Sequence, residues 1–412
     1  MTGVTIDHLV ATTAFIAAIL TFTGLFTQTL QAAILYQQNR HVALKASNLL
    51  DSVLLTPGFP YDWGETNKTL SCFGLQKPGE SGYKLSTFAL MRLVSLTGKS
   101  VEYPMGSGVW YNNISMGPGG YLFIPMSDAI DYQTASRLLG VNGSYGFQLE
   151  VSPIVDVSIS QSQANPLRLR VEANGPGFPL SGASLGYYLY RTQKGASSPS
   201  IVLSTGTAQT NASGVANLDF PFNGSTETYV IVVYARLSGL LGLGYFTHRT
   251  FTQGAGVIPF VVDYETGKVY LAHDWDVNGE GEPPVPNYPY SASFYVLTEE
   301  STFQEWPIAN STGSVNYGGG GGKYLYGETV LPVGHPGFLL VTYRSGNQYG
   351  MSIMPWGIGT LAASAVFGDN PAGNVWTATD FRHVTVDSMA YQAKITCWSL
   401  QGYEIWSSSG WW

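Results

Sequence analysis

The chain has 412 residues, a formal charge of −8 and two cysteines, with charged residues at 11% and aromatic residues at 13%. An acidic, charge-poor composition excludes a basic nucleic-acid-binding surface, and two cysteines exclude a small disulfide-dense scaffold. The length allows two or three domains.

From Leu9 to Asn39 there is no acidic residue, Lys or Arg, and most positions through Leu35 are apolar. That exceeds the roughly 20 residues a helix needs to cross a bilayer. The helical pattern continues through Arg40, His41, Lys45 and Leu49-Leu50 to Leu54, and Thr56-Pro57-Gly58 ends it. A helix from Leu9 to Leu54 would be about 70 Å long, so half of it must stand in water or against protein. The stretch reads as a retained anchor held by membrane lipid. A cleaved signal needs a basic leader and a shorter apolar core, and Met1 to Asp7 contains no Lys or Arg. Cleavage by a signal peptidase, or by a pilin-type peptidase after Gly3, is the alternative.

Two signals for orientation conflict. Arg40 and Lys45 just after the span place the body in the cytoplasm on a literal count of positive charge. Against this stand six glycosylation sequons, at Asn67, Asn113, Asn142, Asn211, Asn223 and Asn310, and a surface whose polarity comes from Ser, Thr, Asn, Gln and Tyr. Long domains translocate largely regardless of nearby charge, so the expectation is a single-pass membrane protein with its bulk outside the cell.

Residues 56–151 open with a Pro- and Gly-rich exit from the helix, Thr56 to Gly64. A short helix follows from Ala129 to Leu139 with a stop at Gly140, then an alternating strand from Tyr145 to Val151, which predicts a small α+β unit. The long helix ending Leu49-Leu50-Asp51, the Leu55-to-Gly64 stretch and the segment from Leu138 to Glu150 resemble archaeal surface proteins with a pilin-like, membrane-anchoring N-terminus. This covers about the first third of the chain. It departs from the pilin pattern in lacking a basic residue before Gly3 and a Glu early in the helix.

Residues 152–252 carry about seven short strands, among them Leu167 to Val171, Leu185 to Tyr190 and Tyr229 to Ala235, which predicts a sandwich. Thr207 to Thr210 and Val215 to Phe220 flank the turn Asn211 to Gly214 and read as a hairpin. The Pro179-to-Ala183 step and the Thr210-to-Ala216 segment resemble bacterial Ig-like and carboxypeptidase-regulatory-like domains. The resemblance implies a spacer or adhesive module and no catalytic residues.

Residues 253–412 are again strand-rich. Pro259 to Tyr264 and Lys268 to Leu271 flank one turn, Phe338 to Tyr343 and Tyr349 to Ile353 flank another, and Tyr391 to Leu400 reads as the last strand. A second sandwich-like domain is expected. The fold class is therefore mainly β: a transmembrane helix extended into a stalk (1–55), a small α+β unit, an Ig-like sandwich and a C-terminal β-rich domain. Cys72 and Cys397 sit near the two ends of the external portion, either as a bridge closing a large loop or as two free thiols.

The sharpest chemical motif is Asp274-Trp275-Asp276-Val277-Asn278-Gly279-Glu280. Oxygen ligands at Asp274, Asp276, Asn278 and Glu280 suit calcium, but Val285 stands where a bidentate Glu would complete an EF-hand loop, and a solvated acidic turn is the simpler account. No other cofactor is suggested. Catalytic signatures are scarce: there is no His-Glu-x-x-His, and the six histidines are scattered without ligand spacing. Asp263, Asp274 or Glu299 could supply paired carboxylates for sugar hydrolysis. Eight tryptophans from Trp275 onward, with Trp406 and Trp411-Trp412 near the end, could stack on sugars or proteins or fill cores.

The expected function is a non-catalytic structural, adhesive or envelope-assembly component, with other envelope proteins or glycans as partners. A homo-oligomer is the further possibility, as a pilin-like filament subunit assembling through the helix. A carbohydrate-active surface enzyme is the remaining alternative.

Overall fold

The computed structural model describes residues 2–93, 100–102, 108–114, 116, 119–192, 199–250, 256–274, 287–298, 302–316, 325–371 and 376–400. Strand accounts for 49% and helix for 19%, so the fold is mainly β, as the sequence predicts.

One helix, Thr2–Leu54, runs without a break for 53 residues. Its two halves differ in character. From Ile6 to Gln38 every residue is exposed, including Phe15, Leu20, Phe22 and Phe26. From Val42 the pattern becomes one-sided: Val42, Ala46, Leu49, Leu50, Val53 and Leu54 are buried while Leu44, Asn48 and Ser52 are exposed. Spacings of three and four residues put the buried set on one stripe, which lies against strands Thr377–Val386 and Met389–Ser399. Each such side chain contributes about 1.5–3 kcal/mol through burial. The C-terminal half of the helix is therefore a core element of the body; of the two settings the sequence allowed for it, water or protein, it takes the second. Only about 9 Å of helix separates Tyr36, near the end of the apolar run, from Val42, the first core residue.

The helix-bearing sheet has the order Lys84–Leu85, Thr377–Val386, Met389–Ser399, Tyr145–Pro153, Ala365–Gly368. Its central pairing joins Tyr145–Pro153 to Met389–Ser399 in antiparallel register, with Phe147 opposite Cys397 and Ser399 opposite Tyr145. Strand pairing thus crosses the boundaries drawn on the sequence at 56–151 and 253–412: the head is assembled from both ends of the chain. The expected short helix is present as Tyr132–Leu138, capped by the Asp131 carboxylate accepting from Thr134 N at 2.6 Å, and Gly140 follows at φ +64°.

Between these ends lies a sandwich. Strands Ile201–Gln209, Ser184–Thr192, Tyr229–Leu237 and Leu240–His248 form one half, and Asp156–Gln163, Leu167–Gly175 and Val215–Phe220 the other. A parallel contact of Leu243 with Asp156 joins the halves, and Leu169, Val171, Leu185, Leu189, Ile231 and Val233 meet between them. The expected hairpin across Asn211 to Gly214 does not form. Ile201–Gln209 pairs with Ser184–Thr192 and Val215–Phe220 with Leu167–Gly175, so the turn carries the chain from one half of the sandwich to the other. Asn211 Oδ1 accepts from Ser213 N and Val215 N, and Asn211 N donates to Val215 O at 2.8 Å, which holds the corner.

Two further sheets pack on each other in the third block. Val257–Asp263, Lys268–His273 and Gly327–Val330 make one; Phe303–Trp306, Asn287–Leu297, Gly337–Ser345 and Gln348–Trp356 make the other, with Thr312–Asn316 alongside. Both predicted hairpins of this block are present. The small sheet Val101–Glu102, Trp110–Asn113, Phe123–Pro125 from the first block lies on it, with the Phe123 and Phe260 rings stacked at 4.6 Å. The sandwich is docked here too: Val230 and Val232 face outward into the main core, and Tyr190 meets Tyr295 at 4.8 Å.

Candidate functional site

The feature with the clearest physical purpose is the exposed apolar half of the helix. Thr12, Thr13, Thr21, Thr27 and Thr29 each return their hydroxyl to the carbonyl four residues back, at 2.7 to 2.8 Å. This satisfies polar side chains within the helix itself, which a hydrocarbon environment requires. The helix is long and apolar enough to cross a membrane, with a mean hydropathy of 2.1 in its most apolar window, none of which is buried against the body.

The junction of helix and head is fastened by polar bonds as well as by packing. Arg382 donates from Nε to Asp51 Oδ1 at 3.0 Å and from Nη2 to Asp51 Oδ2 at 3.2 Å and Ser47 Oγ at 3.1 Å. Its Nη1 lies 2.9 Å from Asp380 Oδ1. The bond to Asp51 is the chief reason the Arg382 pKa is raised. Lys45 Nζ sits 5.8 Å from the centre of the Tyr145 ring. Nothing in the local sequence around Arg382 pointed to this role, because its partner lies 331 residues away.

A groove of about 280 Å³ opens beside the helix exit, lined by Tyr61, Asp62, Glu65, Lys77, Phe88 and Asp387 among others. Burial, then the neighbouring Asp62 charge, raises the Glu65 pKa. Burial pushes Asp387 up to about 6. Asp387 and Ser388 form the two-residue turn between Val386 and Met389, at φ +46° and +69°. Arg92 braces the chain next to Asp62 and Glu65: it is 4% exposed, donating to the carbonyls of Trp63, Thr66 and Asp128. Neither Glu65 nor Asp387 carried a signal in the sequence, since their neighbourhood is made by tertiary contact.

Of the carboxylates that the sequence offered for paired chemistry, Asp263 and Asp274 are each engaged with other partners. Asp263 caps a turn through Glu265 N and Thr266 Oγ1 and accepts from Asn67 Nδ2 at 2.9 Å. Asp274 is fully buried and accepts from Gly256 N at 2.6 Å. Glu299 lies outside the described residues.

Of the four residues considered for calcium, Asp274 faces the interior as a backbone acceptor, which corrects its reading as part of a solvated loop. Asp276, Asn278 and Glu280 lie outside the described residues. Among the described residues no three His, Cys, Asp or Glu side chains are grouped to hold a metal ion. His273 beside Asp274 is buried against the Tyr288 ring at 4.5 Å, and burial lowers its pKa to about 4.

Among the sequons, Asn67, Asn142, Asn211 and Asn310 are exposed, while Asn113 and Asn223 are half-buried. Cys72 is exposed and Cys397 buried, and both are free thiols, so the structure does not contain the bridge considered from the sequence. Trp356 and Trp398 are core residues, Trp306 and Trp376 are 43% and 40% exposed, and Trp275, Trp406, Trp411 and Trp412 lie outside the described residues.

No family model matches the chain, and no curated protein matches it. Among solved structures, trypsin-activated alpha-2-macroglobulin from Escherichia coli is similar over 66% of this chain and 20% of its own, at 9% identity and a TM-score of 0.19. The native conformation of the E. coli protein is similar over 66% and 19%, at 11% identity and a TM-score of 0.21. The chain thus spans about a fifth of the length of those proteins, and scores this low carry no argument about its fold or activity.

Proposed function

We propose that the chain is a single-pass membrane protein whose β-rich body sits outside the cell, close above the lipid, as a structural, adhesive or envelope-assembly component without catalytic activity. The observation that carries this reading is the change of character within one unbroken helix, exposed and apolar to Tyr36 and one-sided and docked from Val42. The outward orientation is supported by four exposed sequons and by a body poor in charge. Partners would be other envelope proteins or glycans, met by exposed aromatic side chains such as Trp306 and Phe178. An Ig-like identity for residues 152–252 would suit a spacer.

A pilin-like filament subunit is the second reading. It is favoured by the way the helix lays its C-terminal half on one face of an antiparallel sheet and leaves the apolar half uncovered. Filaments would assemble through that uncovered half, and a mature N-terminus after Gly3 would support them. The groove holding Glu65 and Asp387 keeps a carbohydrate-active enzyme testable: Glu65→Gln and Asp387→Asn should then abolish hydrolysis of a surface glycan.

Protease shaving and glycopeptide mapping on intact cells test the main reading. Surface peptides from the body, with glycan at Asn67, Asn142, Asn211 and Asn310 ahead of Asn113 and Asn223, are expected. A body protected in sealed cells and carrying no glycan would overturn it.

A further inference from the structure

An edge strand leaves the N–H and C=O of every second residue without a ladder partner, and natural sheets shorten, charge or cover such edges so that another chain does not pair with them. Among the described residues most edges follow that rule. Most are strands of two to five residues. Val215–Phe220 carries Asp219, which is ion-paired with Arg168. Val257–Asp263 and Gln348–Trp356 are largely buried and contain Pro259 and Pro355.

Ile201–Gln209 is the exception. It is the outer strand of its sheet, nine residues long, and it pairs with Ser184–Thr192 alone, in a register without a bulge. It contains no Lys, Arg, Asp, Glu or Pro. Leu203 is 46% exposed, and Ser204, Thr205, Thr207 and Gln209 are in solvent with it. Just past its end, Thr210 N donates to Ala183 O and Thr210 O accepts from Gly182 N, so the Thr210 backbone bonds inward. Bonding alternates along an antiparallel strand, so Ala208, Gly206, Ser204 and Val202 also bond inward, and the N–H and C=O of Ile201, Leu203, Thr205, Thr207 and Gln209 point away from the sheet. Thr192, opposite Ile201, agrees with this phase: its N–H donates to Thr228 O on its other side.

We propose that this edge pairs with the same edge of a second copy of the chain, antiparallel about a two-fold axis through Thr205. Thr205 then meets Thr205 of the second copy, Leu203 meets Thr207 and Ile201 meets Gln209, each an outward-pointing pair that exchanges two backbone hydrogen bonds. Facing threonines are favourable cross-strand neighbours. Between these pairs Val202 meets Ala208 and Ser204 meets Gly206, a larger side chain against a smaller one, on the face that Leu185 and Leu189 turn to the sandwich core. An uncharged strand sets no like charges against itself. This match of the strand to its own reverse is what favours a second copy over a strand of another sequence. The contact involves no part of the long helix and stands whether or not that helix spans a membrane.

The test uses the full chain in detergent, with Cys72→Ser as background. Sedimentation should find a dimer. Thr205→Cys should link the two chains on mild oxidation, because a hydrogen-bonded pair sets its Cα atoms about 5.5 Å apart, within disulfide reach. Gln209→Cys should not, because its own copy lies at the opposite end of the paired strands, about 27 Å away. Thr205→Lys should leave a monomer, and mixing it with differently tagged Thr205→Glu should restore a dimer of the two variants, a rescue that stays decisive even where Lys alone weakens the head. A wild-type chain that is monomeric at every concentration overturns the proposal and leaves the edge to a strand of another protein. A dimer that persists undiminished in Thr205→Lys overturns it as well and places the contact on the apolar helix.

Discussion

Arg382 grips Asp51 with two parallel hydrogen bonds, Nε to Oδ1 at 3.0 Å and Nη2 to Oδ2 at 3.2 Å, joining the long N-terminal helix to a strand near the other end of the chain. Forked geometry of this kind is directional as well as attractive, so it fixes the roll of the helix on the sheet. Both side chains are partly exposed, at 24% and 37%, so solvent screens the pair. Arg382→Gln should cost about 1 kcal/mol of head stability, with a smaller loss in high salt. A double-mutant cycle with Asp51→Asn, read by urea unfolding in detergent, should show coupling between the two. Additive losses would contradict the role assigned to the pair.

The two halves of the helix should respond differently to the same truncation. Leu50 is fully buried, and Leu50→Ala is expected to destabilise the head by about 2–5 kcal/mol. Leu20 is 67% exposed and touches no part of the body, so Leu20→Ala should leave the unfolding midpoint of the head unchanged. Equal losses at both positions would mean that the apolar half packs on protein.

Acid should act on the head through two buried groups of opposite sign. Asp387 has its pKa raised to about 6 by burial, above the ordinary carboxylate value, so the folded state binds its proton more tightly than the unfolded chain. Its contribution is favourable at low pH and is lost as pH rises through about 6. His273 is lowered to about 4 by burial, so its contribution is present above the unfolded value and is lost as pH falls toward 4. Between about pH 4 and 6 the two slopes oppose each other. Asp387→Asn should remove one of them and stabilise the head at pH 7 by on the order of 1–2 kcal/mol, since Asn also tolerates the positive φ of the turn. Unfolding midpoints of the wild type and this variant across pH 4 to 8 check the sign; a variant less stable at pH 7 would contradict it.

The two thiols should be distinguishable without reductant. Cys72 is exposed and should react with a maleimide in the native protein, whereas Cys397 is fully buried with its thiol pKa pushed up to about 11 and should react only on unfolding. Mass spectrometry of the labelled chain should find one adduct natively and two in denaturant. No adduct under either condition would mean that the cysteines are bridged.

The long apolar helix, the mainly β body, most individual strands and two hairpins of the third block were readable in the sequence because each depends on local order. A long uncharged run, alternation of apolar and polar residues, and turn residues at short spacing act over a few residues, and tertiary context had little to override. The sequence also placed the end of the helix at Leu54, where the structure has it. What it did not contain was which strand meets which. Alternation assigns a face to each strand but not a partner, so Tyr145–Pro153 and Met389–Ser399 read as belonging to separate domains although they are neighbours in one sheet. The same limit produced the hairpin across Asn211 to Gly214, where good turn chemistry serves a crossing between the two halves of the sandwich. Only the tertiary structure decided that Glu65 and Asp387 share a groove, that Asp274 is a buried acceptor, and that the second half of the helix is core. Each of these depends on contacts between residues far apart in the chain, whose geometry no short window records.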